Sequence, residues 1–190
     1  WFATIKTFIL FSLSSSSIYL INDCIDINSD KLHPIKRFRP IASGNLSLKE
    51  AKIFAVFLAG FSVYISFQIS ILLSVLIQTY LLIQVLYCIR LKKEPLLDIS
   101  CLALGFLIRA AAGGVSSNLY ISPWFILTTG LLALFLAIEK RKAELKNSQD
   151  TGEFKREVLK RYSLPLLLRI ESLPYLELLN FAMILSATSF

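Results

Sequence analysis

The run Asn22-Asp23-Cys24-Ile25-Asp26-Ile27-Asn28-Ser29-Asp30 closes a long apolar segment, and Lys36-Arg37-Phe38-Arg39-Pro40 follows almost at once. The carboxylates stand at i, i+3 and i+7, a spacing that predicts one face of a helix. Charge at a membrane boundary is costly unless something uses it. Acids at a helix C-terminus also oppose the macrodipole, so stabilisation does not account for them. Oxygen donors of this kind suit Mg²⁺, which takes one or two carboxylates and fills its other positions with water and substrate phosphate. Asp23 and Asp26 can bracket one ion. Asp30, a turn further on, can reach a second ion or a substrate hydroxyl, and Asn22 adds a neutral oxygen. Lys36, Arg37 and Arg39 then read as phosphate-binding cations. His33, the only histidine, can donate to a phosphate or cap the loop.

A second set of candidates is spread along the later segments. Arg109 lies deep in an apolar run, in Gly105-Phe-Leu-Ile-Arg109-Ala-Ala-Ala-Gly-Gly114, and an intramembrane arginine reads as functional by default. Asp98 precedes it by a nearly whole number of helical turns, so the spacing puts both on one face with Gly105 between them. The alternative is a purely structural ion pair. Lys140-Arg141-Lys142-Ala143-Glu144 ends a further span, either as an anion-binding group or as flanking topology charge. Cys24, Cys88 and Cys101 have no metal-ligand spacing and read as small packing residues.

Composition says what scaffold must hold these groups. The chain has 190 residues, of which 55% are hydrophobic. Its mean hydropathy of +0.65 is too high for a soluble domain of this size. No charged residue occurs from Ile53 to Ile89, and only Arg109 between Ile99 and Ile138. Each run is about twice the roughly 20 residues that cross a bilayer. Each therefore predicts two spans, with turns near Gln68-Ile69-Ser70 and Ser116-Ser117-Asn118. A span over about Phe2 to Ile21 precedes them, and a sixth begins near Leu176. The expected fold is an all-α polytopic bundle, a single transmembrane domain over residues 1–190. A chain without an initiator Met that opens and closes inside apolar runs reads as an internal piece of a longer protein.

The loops carry their own signals. Pro34, Pro40 and Gly44 keep the first loop irregular, and Ser47 with Glu50 forms a capping-box signature that starts a helix at Leu48. A third loop, about Glu139 to Tyr175, holds Glu153–Tyr162 as an amphipathic surface helix or a solvated one. The net charge of +7 is concentrated in three loops that alternating spans put on one side, which the positive-inside rule makes cytoplasmic. The basic balance reports topology and phosphate binding and gives no reason to invoke nucleic acid.

With Asn22-Asp-x-x-Asp26-x-x-x-Asp30 at the end of a span, the chain resembles the UbiA-type membrane prenyltransferases. That resemblance implies a larger helical bundle, of which this chain would supply the second span through the start of the seventh. It also implies Mg²⁺ on the aspartate motif. Within the superfamily, His33-Pro34-x-Lys36-Arg37-x-Arg39-Pro40-Ile41-Ala42-x-Gly44 is most similar to the decaprenyl-phosphate phosphoribosyltransferases. So are Leu91-Lys92-x-x-Pro95-x-x-Asp98, Gly105-Phe-x-x-Arg109-Ala-x-Ala-Gly113, and Ser122-Pro-Trp-Phe125 leading to Lys140-Arg-x-x-Glu144-Leu145. The aromatic-acceptor members carry a second aspartate-rich motif where this chain has Glu139-Lys-Arg-Lys-Ala-Glu144. Cations in place of acids suit a site that grips a second anionic group directly.

The resemblance implies transfer of a 5-phosphoribosyl group from phosphoribosyl pyrophosphate to a polyprenyl (decaprenyl) phosphate at the cytoplasmic membrane face. Asp23, Asp26 and Asp30 would be its catalytic and metal-binding residues. Asn22, His33, Lys36, Arg37, Arg39, Lys92, Asp98, Arg109, Lys140, Arg141 and Glu144 would form its substrate- and phosphate-binding set. Three rivals remain. One is a prenyl diphosphate:aromatic transferase of the same fold. Another is a CDP-alcohol phosphatidyltransferase, whose Asp-Gly…Ala-Arg opening is absent. The third is a non-catalytic transporter or lipid-binding protein with Asp98 and Arg109 along a pathway, which need not require all three acids.

Overall fold

The computed structural model describes residues 2–151 and Tyr162, and the regular structure among them is helical. Helix α1 is Phe2–Ile25, α2 is Ile27–Leu32, α3 is Leu48–Ile69, α4 is Ile71–Ile89, α5 is Leu97–Ser117 and α6 is Pro123–Thr151. Short 3₁₀ turns at Lys36–Phe38 and Leu91–Lys93 fall in the first and second loops. Five of the helices are long and apolar enough to cross a bilayer: α1, α3, α4, α5 and the Pro123–Lys146 part of α6. The chain is an integral membrane protein. The five complete spans stand where hydropathy put them. The expected sixth span, and all of the Glu153–Tyr162 stretch except Tyr162, lie outside the described residues.

The helix ends follow local chemistry. Ser47 Oγ accepts from the Glu50 amide at 3.3 Å and Glu50 Oε2 accepts from the Ser47 amide at 3.1 Å, a closed capping box that starts α3 at Leu48. A single residue, Ser70, turns α3 into α4, its extended backbone (φ −163°, ψ 137°) breaking the helix. At the end of α5, Asn118 adopts φ 52°. Leu119 N–H reaches Gly114 O at 3.0 Å and Asn118 N–H reaches Val115 O at 3.3 Å, a Schellman closure with Asn in the left-handed position. One boundary differs from expectation. Helix α6 runs on to Thr151, through the segment expected to be loop from Glu139. Hydropathy falls there, but Glu, Lys, Arg, Ala and Leu are strong helix formers and propagation continues past the membrane edge.

The chain divides into two compact units. In the first, which comprises the residues through Ile89 together with Ala112–Leu119, α1, α3 and α4 pack against one another. The buried face of α3 is made of small side chains, and those of α1 and α4 mix small hydroxylated residues with larger ones such as Leu10, Phe11, Leu73 and Ile77. On α3 the buried residues are Ala51, Ala55, Ser62 and Ser66, and on α1 they include Ser14 and Ser17. Ser14 Oγ donates to Ser62 Oγ at 2.9 Å, and Ser17 Oγ to the Ala55 carbonyl at 2.8 Å. Lipid tails are as apolar as leucine, so helix association gains from close backbone approach and interhelical hydrogen bonds more than from burying greasy surface. Tyr80 of α4 completes the seam: its ring meets Phe11 edge-on, centroids 5.3 Å apart, and its hydroxyl lies 3.1 Å from Ser15 Oγ. The aromatic face of α3, Phe54, Phe57, Phe61, Tyr64 and Phe67, is exposed, as lipid contact requires.

In the second unit, Arg90–Ala111 and the residues from Tyr120 on, α5 and α6 run antiparallel. Leu107 packs on Gly130 near one end, a Cβ there falling 3.3 Å from the Leu107 side chain, and Asp98 meets Arg141 at the other. Ile99, Ala137, Ile138, Leu145 and Tyr162 form the hydrophobic core of this unit.

The seam sets a stability test. Ser14→Leu overpacks the α1–α3 contact and should cost about 1–3 kcal/mol, whereas Ser14→Ala, losing only one interhelical hydrogen bond, should cost about 0.6 kcal/mol. Chemical unfolding in mixed micelles checks the ranking.

Candidate functional site

The three aspartates do not lie on one uninterrupted helix. Asp26 separates α1 from α2, with φ −90° and ψ 6°. The hydrogen-bond ladder survives the break, since Asp26 N–H bonds Asn22 O at 2.9 Å and Asp30 N–H bonds Asp26 O at 2.8 Å. Asp23 therefore ends the span, and Asp30 is carried on the following turn.

The loop after α2 returns its cations to these acids. Its 3₁₀ turn is held by His33, whose Nδ1 accepts from the amides of Ile35 at 3.1 Å and Lys36 at 3.3 Å. His33 thus takes the loop-capping role, and an accepting Nδ1 leaves the neutral ring's proton on Nε2. Gly44, at φ 85°, turns the chain toward α3 in a left-handed conformation that glycine alone adopts freely. Arg39, at the end of the turn, donates from one nitrogen, Nη1, to Asp23 Oδ1 at 2.7 Å and to Asp30 Oδ2 at 2.9 Å. Lys36 Nζ stands 4.0 Å from Asp30 Oδ1. Asp30 is only 3% exposed, so these cations compensate a charge removed from water. Arg37 faces outward, its guanidinium 4.8 Å from the Phe38 ring centroid. Of the expected group, Asp23, Asp30, Lys36 and Arg39 converge, and Arg37 does not join them.

The donor set of Asn22, Asp23, Asp26 and Asp30 is all hard oxygen, with no soft ligand, and its chemistry fits Mg²⁺. Among the described residues, no three Asp, Glu, His or Cys side chains are grouped closely enough to hold an ion by themselves. Mg²⁺ needs no such cage, because water and substrate phosphate normally complete its octahedron.

The second unit has a different electrostatic centre. Asp98 bonds Arg141, through Nε to Oδ2 and through Nη2 to Oδ1 at 2.8 Å, and Arg141 Nη1 also donates to Glu144 Oε2 at 2.7 Å. Asp98 is 0% and Arg141 1% exposed. Arg109 shares a helix with Asp98 but is exposed, its guanidinium 5.9 Å from the centroid of its helix neighbour Phe106. Lys140 is exposed and Lys92 lies in the second 3₁₀ turn. The partner of Asp98 is therefore Arg141. Sequence reasoning also missed Tyr162, placed above on an amphipathic face. It is buried beside this pair, and its hydroxyl accepts from the Leu96 amide at 3.3 Å. Leu96 is held at φ 68°, a strained conformation for a branched residue. Burial pushes the Tyr162 hydroxyl's pKa up, which keeps it neutral. No spacing signal could have found this contact.

Comparison with known proteins gives three findings. The model of the UbiA prenyltransferase family matches residues 1–189. The decaprenyl-phosphate phosphoribosyltransferase of Mycolicibacterium smegmatis is 43% identical over 156 residues, covering 82% of this chain and 49% of its own length. That of Corynebacterium glutamicum is 40% identical over 158 residues, covering 82% and 48%. The chain thus spans about half the length of the relatives it matches. Among solved structures, a UbiA homologue from Archaeoglobus fulgidus bound to GPP and Mg²⁺ has the same fold. It superimposes with a TM-score of 0.79 at 18% identity, over 96% of this chain and 66% of that one.

The buried pair makes a prediction of its own. Asp98→Ala strands a buried guanidinium and should destabilise by about 3–5 kcal/mol, whereas Asp98→Leu combined with Arg141→Met should recover most of that loss. Thermal unfolding of the three proteins in detergent tests this.

Proposed function

Because the chain belongs to the UbiA prenyltransferase family, we propose that it carries the catalytic centre of a polyprenyl-phosphate phosphoribosyltransferase. The donor is phosphoribosyl pyrophosphate, the acceptor is a decaprenyl-type phosphate, and the site faces the cytoplasm. The observation that carries this reading is the identity with the two phosphoribosyltransferases named above. The end of α6 supports it. Asp98 and Glu144 are tied to Arg141, so neither acid is offered to a second metal cluster of the kind a prenyl diphosphate would need.

In this mechanism Asp23 and Asp26 hold Mg²⁺, which when bound offsets charge on the departing diphosphate. Asp30 would serve a second ion or the ribose hydroxyls. Arg39 and Lys36 take phosphate oxygens, the arginine through a fork matched to two of them. His33 donates from Nε2, and Asn22 orients the acids beside it. The resemblance also puts forward Lys92, Arg109 and Lys140 as phosphate-binding cations, whereas Arg37 faces outward. Asp98, Arg141 and Glu144 act as positioning residues that fix α5 against α6. The acceptor phosphate is already ionised and needs no general base. Its oxygen forms a bond to the anomeric carbon while the bond from that carbon to diphosphate breaks, and diphosphate leaves with the electron pair. The apolar spans keep the isoprenoid tail in lipid while the charged loop handles the water-soluble donor.

Membranes containing the protein, given labelled phosphoribosyl pyrophosphate, a polyprenyl phosphate and Mg²⁺, should transfer label into organic extract. Asp26→Asn should lower the rate at least about a hundredfold, the scale of losing one transition-state charge contact, and EDTA should abolish it. Prenylation of an aromatic acid from a prenyl diphosphate, with no lipid-soluble ribosyl label, would assign the protein to the aromatic branch instead.

A further inference from the structure

One nitrogen of Arg39 serves both Asp23 and Asp30, at 2.7 and 2.9 Å. These carboxylates come from either side of the helix break, and the arginine sits where their charge converges. The backbone beneath it is pinned, its amide bonding Lys36 O at 2.9 Å and its carbonyl accepting from the Ser43 amide at 2.8 Å. The side chain is partly exposed, whereas Asp30 is buried. A guanidinium has five N–H donors, and this one can turn from the acids to a second anion without moving the loop.

We propose that Arg39 is a placeholder cation. It neutralises Asp23 and Asp30 in the metal-free protein, and it yields them to a divalent cation when a diphosphate arrives to take the guanidinium. The inference rests on the reading of these acids as metal ligands and goes beyond it. It makes metal and diphosphate binding mutually dependent through one side chain. Two cations compete for the same carboxylate oxygens, so Arg39 opposes metal binding alone. A diphosphate removes that opposition by giving Arg39 a new partner, and linkage makes the effect reciprocal. Lys36, further away at 4.0 Å, stays behind as the cation nearest Asp30.

The test measures Mn²⁺ binding by electron paramagnetic resonance, using the purified protein in lipid nanodiscs, with and without inorganic pyrophosphate. The Mn²⁺–pyrophosphate complex in solution is accounted for in the fit. In the unsubstituted protein, pyrophosphate should tighten Mn²⁺ binding about fivefold or more, the lower end of ordinary site coupling. Arg39→Gln should bind Mn²⁺ alone about fivefold or more tightly than the unsubstituted protein and gain little further from pyrophosphate. Arg39→Lys, which keeps the charge, should retain part of the coupling. The metal-free Arg39→Gln protein should melt earlier, because Asp23 and Asp30 lose the cation they share. Mn²⁺ should restore its melting temperature, which it would not do for a misfolded variant. If Arg39→Gln binds Mn²⁺ no more tightly, while Asp23→Asn still abolishes binding, the metal reading stands and the exchange is overturned. If Asp23→Asn leaves Mn²⁺ binding unchanged, the metal reading falls and the exchange with it.

Discussion

Negative charge at the end of an apolar helix must be neutralised locally, and the first half of this chain is organised around that constraint. Asp23 closes a membrane span and Asp30 is buried, where an unpaired carboxylate would cost several kcal/mol. The loop from His33 to Ser47 answers with Arg39 and Lys36. Each of its features serves that delivery: the histidine cap on the 3₁₀ turn, the two prolines, the left-handed Gly44 and the capping box that restarts helix at Leu48. A loop without these stops would continue as helix and carry its cations away from the acids.

The same constraint is met differently in the second unit. Arg141 meets Asp98 through two of its nitrogens, both partners are sealed from solvent, and Glu144 takes a further N–H. That arrangement is closed, with little to exchange with, and it suits a strut between α5 and α6. The Arg39 arrangement is more open: one nitrogen spans two acids and the side chain is partly exposed. The two arrangements use the same residue types and differ in their access to solvent.

Much of the architecture was legible because a bilayer imposes a crude rule. Apolar runs of twice the span length had to fold into pairs, and the turns at Ser70 and Asn118 fell at polar residues near the middle of each run. The α3 start was legible from Ser47 and Glu50, since a capping box is a local contact. The inner faces were less so. In a uniformly apolar helix the packed side is marked by small hydroxylated residues such as Ser14, Ser17, Ser62 and Ser66, the reverse of the pattern a soluble helix shows. Helix α6 outran its predicted end because hydropathy marks the edge of the membrane, whereas hydrogen bonding marks the edge of the helix.

By itself the sequence determined the all-α membrane class, the five described spans, and the acid and base clusters of the site. These depend on the type and spacing of neighbouring residues, which the chain carries wherever it goes. Only the tertiary structure decided who pairs with whom. Helical period placed Asp98 with Arg109, yet Asp98 bonds Arg141, 43 positions away, while Arg109 is exposed. Lys36, Arg37 and Arg39 looked equivalent as a run of cations, yet only Lys36 and Arg39 face the aspartates. A long side chain at a helix end has several partners within reach. The choice among them is made by how helices pack and which direction a turn leaves the membrane surface, neither of which has a local signature.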